Sequence, residues 1–337
     1  MEMPFKDGVK LPFVPVIESL RGIASLMVCI FHIVYSTEGF VTDLLFWKPF
    51  FYYFSYGVQI FFVISGVVIP LSLWNLGYNG SQWKSFLIRR FIRLEPPYLV
   101  SVLLTTLYFL LRNVVPGAGE TSLIPSLGNF FLHIGYLVPF VEGSQWIQMS
   151  YWTLGVELQY YLAMSILFLL LFHPQLWRRI AAYAFMFGTA FLIRNEFFVF
   201  ASFPIFLLGI LYIQQRTGII TQTERYLVSL LSVLAIYAIF TPQYCAFSVL
   251  TILVIEYFPA FSTQITRFLG KISYSLYLTH TITGAALLHL LLKFLHLQTL
   301  KPLTALLSIG FALLIAYFYA KWIEQPFQRI SRRGSLK

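Results

Sequence analysis

The sequence predicts an all-α fold, a polytopic membrane helical bundle of about ten transmembrane helices with both termini cytoplasmic. Three observations predict it. Of the 337 residues, 58% are hydrophobic and only 11% are charged, whereas a water-soluble domain carries about 25% charged residues. Ten apolar runs approach the ~20 residues that a helix needs to cross the hydrocarbon of a bilayer. With ten spans, the basic residues also divide between the two sides as the positive-inside rule requires.

The spans are expected at about 15–36, 50–74, 97–113, 151–172, 179–193, 198–214, 226–241, 243–258, 272–294 and 302–323. The first follows a mixed-charge start (Glu2, Lys6, Asp7, Lys10) and carries internal charges, so it reads as a retained span and not as a cleavable signal peptide. An eleventh apolar stretch, about 123–140, contains Pro125, Gly128, His133 and Pro139. It reads as a short surface or re-entrant helix, because counting it as a span spoils the charge pattern. On this topology only Lys48, Arg112, Arg194, Lys293 and Lys301 lie outside, and the remaining basic residues, from Lys6 to Lys337, lie inside. The net charge of +10 then belongs mainly to the cytoplasmic face, where membrane lipids with anionic headgroups are the expected partners. Scattered over separate loops, these residues form no single patch of the kind that binds nucleic acid. Cys29 and Cys245 sit in different apolar helices with no neighbouring thiol or metal-ligand spacing, so both read as packing residues and no metal is expected. One integral membrane domain accounts for residues 1–337: a cytoplasmic segment 1–14, the bundle 15–323 and a basic cytoplasmic tail 324–337.

Four polar constellations interrupt the apolar pattern. Arg21 and His32 lie eleven positions apart in the first run, which returns them to nearly one helix face about 16 Å apart, with Glu18 and Ser25 near the same stripe. An ionisable group in hydrocarbon is costly, so such a stripe faces protein or a water-filled path. Arg90 and Arg93, three apart beside Arg89, project from one face of a short interfacial helix that Pro96 and Pro97 are expected to stop. Guanidinium groups so placed grip phosphates through paired hydrogen bonds, although for this segment taken alone an amphipathic helix resting on anionic headgroups is the simpler reading. Glu157 lies in the fourth span beyond Tyr151 and Trp152, an aromatic pair suited to the interface. No cation adjoins Glu157 in sequence, so it is protonated, paired across helices or in water. Ser273, Tyr277 and His280, at spacings of four and three, line one face of the ninth span, where a helix-joining polar seam is the plain alternative.

Taken in order, these pieces resemble the acyltransferase-3 family of integral membrane O-acyltransferases. The matching motifs are Glu18 to Ala24 (ESLRGIA) with His32, Phe61 to Gly66 (FFVISG), Arg89-Arg90-Phe91-Ile92-Arg93 with Pro96, Tyr151 to Leu162 (YWTLGVELQYYL), Gly270 to His280, and Glu324-Gln325-Pro326-Phe327. Each fragment is weak alone, but six in the family's order over nearly the whole chain form a specific signal. The resemblance implies transfer of an acyl group, most often acetyl, from cytoplasmic acyl-CoA to a hydroxyl of a glycan or glycolipid, in a multi-pass protein of the cell membrane. Two departures stand out: Glu18 replaces the commoner Asp, and Leu158 stands where a second Glu is frequent. The second departure weighs against a mechanism that needs adjacent carboxylates. With the tenth span so near the last residue, the extracytoplasmic esterase-like domain fused to some relatives is not expected.

The chemistry suits that resemblance. Acyl transfer from a thioester to an alcohol needs a base for the hydroxyl proton, and imidazole is suited to the task near neutral pH. His32 is the candidate base and Glu157 its candidate orienting or charge-balancing group. Arg21, Arg89, Arg90 and Arg93 are candidates to hold the phosphates of acetyl-CoA, the expected co-substrate, whose thiol arm would bridge to His32. Glu18, Tyr151, Trp152, Ser273, Tyr277 and His280 are candidate acceptor-binding residues. A transporter or flippase moving a polar lipid or glycan intermediate through the same polar path is the alternative. It would cleave no thioester.

Overall fold

The computed structural model describes residues 10–37, 40, 48–114, 126–294 and 300–333. Lys6, Lys337 and the 115–125 part of the loop before Tyr151 lie outside the described residues, as do the side chains of Lys48, Lys293, Arg332 and Arg333. Every regular element described is helical. In chain order these are α1 (Val16–Ile30), α2 (Lys48–Tyr52), α3 (Gly57–Asn75), α4 (Trp83–Val114), α5 (Leu127–Leu132), α6 (Trp152–Leu171) and α7 (Leu176–Leu192). They continue with α8 (Val199–Arg216), α9 (Gln222–Ile239), α10 (Pro242–Tyr257), α11 (Gln264–His280), α12 (Ala286–Phe294), α13 (Lys301–Tyr319) and α14 (Gln325–Arg333). Single π-helical turns follow α1 (Phe31–Tyr35), α11 (Thr281–Ala285) and α13 (Ala320–Glu324).

A helix stands at each of the ten expected spans, and among the described residues seven are long and apolar enough to cross a membrane: Val16–Tyr35, Pro49–Asn75, Trp83–Val114, Met149–Leu171, Val199–Arg216, Gln264–Leu292 and Lys301–Ser331. The chain is therefore a multi-pass membrane protein. Helices α7, α9 and α10, also at expected spans, fall short of that length or hydropathy. The stretch 123–140 contributes the short helix α5, with the Ser126 side chain capping the amide of Asn129.

One boundary differs from the sequence reading. Pro96 and Pro97 do not stop the basic helix; α4 runs through them as one 32-residue helix. Proline removes the bonds that the carbonyls of Ile92 and Arg93 would accept, yet a membrane helix tolerates this where neighbours supply donors. Beside those two carbonyls, neighbouring phenols anchor the same stretch: the Tyr274 hydroxyl donates to Leu94 O at 2.7 Å and the Tyr319 hydroxyl to Pro97 O.

The chain divides into two compact units, with boundaries that fall inside several helices. The first comprises Met1–Arg21, Val58–Ile88 and Gly155–Arg267. Its centre is α8, buried from Val199 to Gln214 apart from the Phe200 side chain. Gly66 on α3 and Gly209 on α8 let the two backbones touch: a Cβ at Gly66 would stand 2.1 Å from Phe206 O, and one at Gly209 2.4 Å from Val63 O. Small residues permit such close helix contacts in membranes, which accounts for the glycine of the Phe61 to Gly66 motif. Tyr160 stacks on Phe206 with ring centroids 4.0 Å apart.

Two basic residues of this unit do not face lipid headgroups. Arg179 is buried and grips Glu224 with two nitrogens at 2.9 Å, and Arg225 forks onto Glu256. A buried guanidinium must be paired, and both partners lie far along the chain, beyond local pattern reading.

The second unit comprises Gly22–Gly57, Arg89–Leu154 and Phe268–Lys337. Its core joins Cys29, Ile33, Val34, Ile272, Leu276, Leu288, Ala312 and Ala316. Gly22 on α1 lies against Gly270 and Leu269 on α11, and Gly284 lies against Ile33 and Ala312. All three π-helical turns belong to this unit.

Candidate functional site

The second unit gathers most of the sequence-predicted polar residues. His32 occupies the π-helical turn after α1 and His280 ends α11, immediately before another such turn. Extra residues of this kind bulge a helix and re-aim its side chains, frequently at functional sites. The two imidazoles stand with centroids 5.1 Å apart and planes tilted by 41°. His280 is fully buried. Its Nδ1 lies 3.1 Å from Leu276 O and 2.9 Å from Tyr277 O. Carbonyls only accept, so these partners assign the proton to Nδ1 and leave Nε2 as a bare acceptor. No hydrogen-bond partner reaches Nε2 among the described residues.

Tyr277 continues the group, with its ring 6.0 Å from that of His280. Its hydroxyl donates to Ser150 O at 2.7 Å and contacts Thr153 Oγ1 at 2.5 Å. Tyr151 is buried, with its hydroxyl 3.0 Å from Ser101 Oγ and 3.3 Å from Leu278 O. Gln148 extends the chain, donating to Thr105 Oγ1 at 2.7 Å and accepting from the Thr281 hydroxyl. Sequence reasoning named Tyr151, Tyr277 and His280 but missed Ser101, Thr105 and Gln148, whose polarity is unremarkable until the helices pack. Trp152 is half-buried beside this group. Ser273 is buried, and its hydroxyl turns back to Gly270 O at 2.9 Å.

Arg89, Arg90 and Arg93 are half-buried on α4, and the Ser331 hydroxyl of α14 donates to Arg89 O at 2.7 Å. Two turns further along α4 from Arg89, Glu95 is buried and accepts the backbone N–H of Gly135 at 2.8 Å. Gly135 has φ +72, a conformation that favours glycine. Glu95 received no role from the sequence; the available signal was a lone carboxylate between a cluster of three arginines and two prolines. Glu324, quoted only as part of a motif, is also buried and accepts from Ser275 and Gln328.

His133, after α5, uses both ring nitrogens: Nδ1 donates to Asn129 O at 2.9 Å and Nε2 accepts the Ile147 amide at 3.0 Å. Burial pushes its pKa below the ordinary imidazole value, against a smaller upward pull from Asn129.

Glu18, Arg21 and Glu157 belong to the first unit, where all three are half-buried. Between the first two, Ser19 is buried, within 2.8 Å of Thr266 Oγ1 and 3.1 Å of Phe261 O. Ser25, expected on the same stripe, lies in the second unit and donates to Gly22 O at 3.0 Å. Glu157 accepts from the hydroxyl of Tyr161, one turn on in the same helix. A same-helix partner was absent from the sequence alternatives, which looked for a cation; a phenol at i+4 satisfies a carboxylate by helical geometry alone. Among the described residues, no three His, Cys, Asp or Glu side chains gather closely enough to hold a metal ion.

Residues 14–321 match the acyltransferase-3 family, described as an acyltransferase domain. Over 162 residues the chain is 30% identical to the peptidoglycan O-acetyltransferase OatA of Listeria monocytogenes serovar 1/2a (strain ATCC BAA-679 / EGD-e). That stretch is 44% of this chain and 23% of the relative, so the chain spans less than a quarter of that protein's length. No solved structure matches the chain. Because the family match runs from the start of α1 into the last membrane-crossing segment, the chain belongs to the acyltransferase-3 family.

Proposed function

We propose that the chain moves an acyl group, acetyl in the first instance, from cytoplasmic acyl-CoA to a hydroxyl of an envelope glycan or glycolipid on the far side of the cell membrane. One integral domain of ten spans with both termini cytoplasmic carries out the transfer. The observation that supports the reading most is the placement of His32 in a helix bulge within a family-matched acyltransferase domain. His32 takes the acceptor's hydroxyl proton while the new O–C bond forms at the acyl carbon and the C–S bond breaks; the proton then passes to the departing thiolate. Arg89, Arg90 and Arg93, on one helix, bind the donor's phosphates through charge-assisted hydrogen bonds. Tyr151, Trp152, Tyr277 and Ser273, with His280, shape the acceptor side. Glu157, hydrogen-bonded to Tyr161, is held in a fixed rotamer as a supporting carboxylate. A glycan acceptor is suggested by the O-acetyltransferase relative.

Donor binding tests the arginine assignment. Purified protein in nanodiscs should bind acetyl-CoA, and Arg90→Ala with Arg93→Ala should weaken that binding at least tenfold, as expected for lost charged hydrogen bonds. Unchanged binding would remove these arginines from the donor site.

A further inference from the structure

We propose that His280 is a positioning residue for His32: its bare Nε2 fixes which His32 nitrogen carries the hydrogen and which is left open to take the acceptor's proton. The inference rests on the reading of His32 as the base. Two carbonyls of its own helix hold the Nδ1 edge of His280, so Nε2 is the edge directed away from that helix. Nε2 is buried and without a partner among the described residues. The nearest imidazole belongs to His32, 5.1 Å away between centroids, and two five-membered rings joined end to end by an N–H···N bond stand about 5 Å apart. The backbone holds the rings there. Gly284, in the turn that follows His280, leaves room for Ile33, the residue next to His32; a Cβ at Gly284 would lie 2.3 Å from Ile33 Cδ1.

A small rotation of the His32 ring completes the bond. His32 then donates one N–H to His280 Nε2 and presents its other nitrogen to the acceptor hydroxyl. As that hydroxyl attacks the thioester, its proton moves to the open nitrogen, the O–C bond forms, the C–S bond breaks, and the same proton leaves with the thiolate. The His280 lone pair faces the charge that His32 carries in between. A carboxylate performs this orienting task in other base pairs; a neutral imidazole performs it without burying a second charge in the membrane.

The test uses the full chain in nanodiscs, with acetyl-CoA as donor and water or a soluble chitooligosaccharide as acceptor. His280→Leu should lower kcat about a hundredfold with KM for acetyl-CoA unchanged. His280→Gln, which restores an acceptor atom, should recover most of the loss. In a His32→Ala background, His280→Leu should cost nothing further. Independently of folding of the leucine variant, the ring-nitrogen NMR signals of His32 in histidine-labelled wild type should show a single tautomer, and in His280→Gln a single tautomer again. Averaged tautomers in the wild type, a KM effect without a kcat effect, or an equal rate loss in the His32→Ala background would each overturn the proposal. Full activity in His32→Ala would instead end the reading of His32 as the base.

Discussion

Gly22 and Gly270 meet so closely that a Cβ on Gly22 would lie 2.6 Å from the backbone nitrogen of Gly270. Each belongs to one of the motifs that carried the family resemblance. Their contact presses α1 against α11 within the second unit, ten residues before His32 on one helix and ten before His280 on the other. The glycines therefore set how the two imidazoles approach. Gly22→Val should force the helices apart and destabilise the fold by about 1–3 kcal/mol, as overpacking does. It should also lower acyl transfer more than a surface substitution of equal stability cost. Thermal unfolding in detergent and a rate assay on the same preparation check both parts. A valine variant with wild-type stability and rate would show that the contact is slack.

Glu95 should matter for the loop before Tyr151. Its carboxylate holds the Gly135 amide, so Glu95→Ala leaves a buried donor unsatisfied, at a cost of about 1–3 kcal/mol. Glu95→Gln keeps an acceptor and should cost less. The expected ordering in unfolding temperature is wild type, then glutamine, then alanine; equal values for the last two would refute the assigned hydrogen bond.

The His133 site gives a signed pH dependence. Its folded pKa is depressed by burial, so its contribution to stability is present above the ordinary histidine value, about 6.5. It is lost as pH falls from there through the folded value, because the unfolded chain takes up the proton first. Protonation would also end acceptance from the Ile147 amide. The unfolding temperature of wild type should therefore drop more between pH 7.5 and 5 than that of His133→Gln. Parallel profiles would remove His133 from the account.

In the first unit, the buried pair Arg179 and Glu224 should show the asymmetry of desolvated charges. Arg179→Met should destabilise by about 3–5 kcal/mol, because it leaves a carboxylate without its cation. Changing both residues together to Met and Leu should recover most of that loss. Equal destabilisation in the single and double variants would mean that packing, and not charge, dominates there.

Much of the architecture was legible because membrane helices satisfy their own backbone, so that length and hydropathy mark them. A helix stands at each expected span, and motif glycines such as Gly22, Gly66 and Gly270 proved to be contact points between helices. Long-range pairing was not legible: Arg179 with Glu224, Arg225 with Glu256, and Glu324 with Ser275 join segments that no local pattern connects. Nor were the π-helical turns, since one extra residue per turn leaves an apolar run looking unchanged. Pro96 and Pro97 misled for a related reason. Local rules end a helix there, yet α4 continues through both prolines, anchored beside them by phenols from α11 and α13. Which candidate residues stand together was not legible either, and only the fold showed His280 beside His32.

The central claim is that His32 is the base of an acyl transfer, and turnover of labelled acetyl-CoA by the purified protein in nanodiscs tests it most directly. Wild type should cleave the thioester, and His32→Ala, at equal folded yield and with unchanged donor binding, should lose at least a hundredfold in kcat. Thioester cleavage that persists at the wild-type rate in His32→Ala would contradict the account. So would a wild-type protein that binds no donor and turns over none when membrane glycan extracts are supplied, a result that would favour transport through the same polar path.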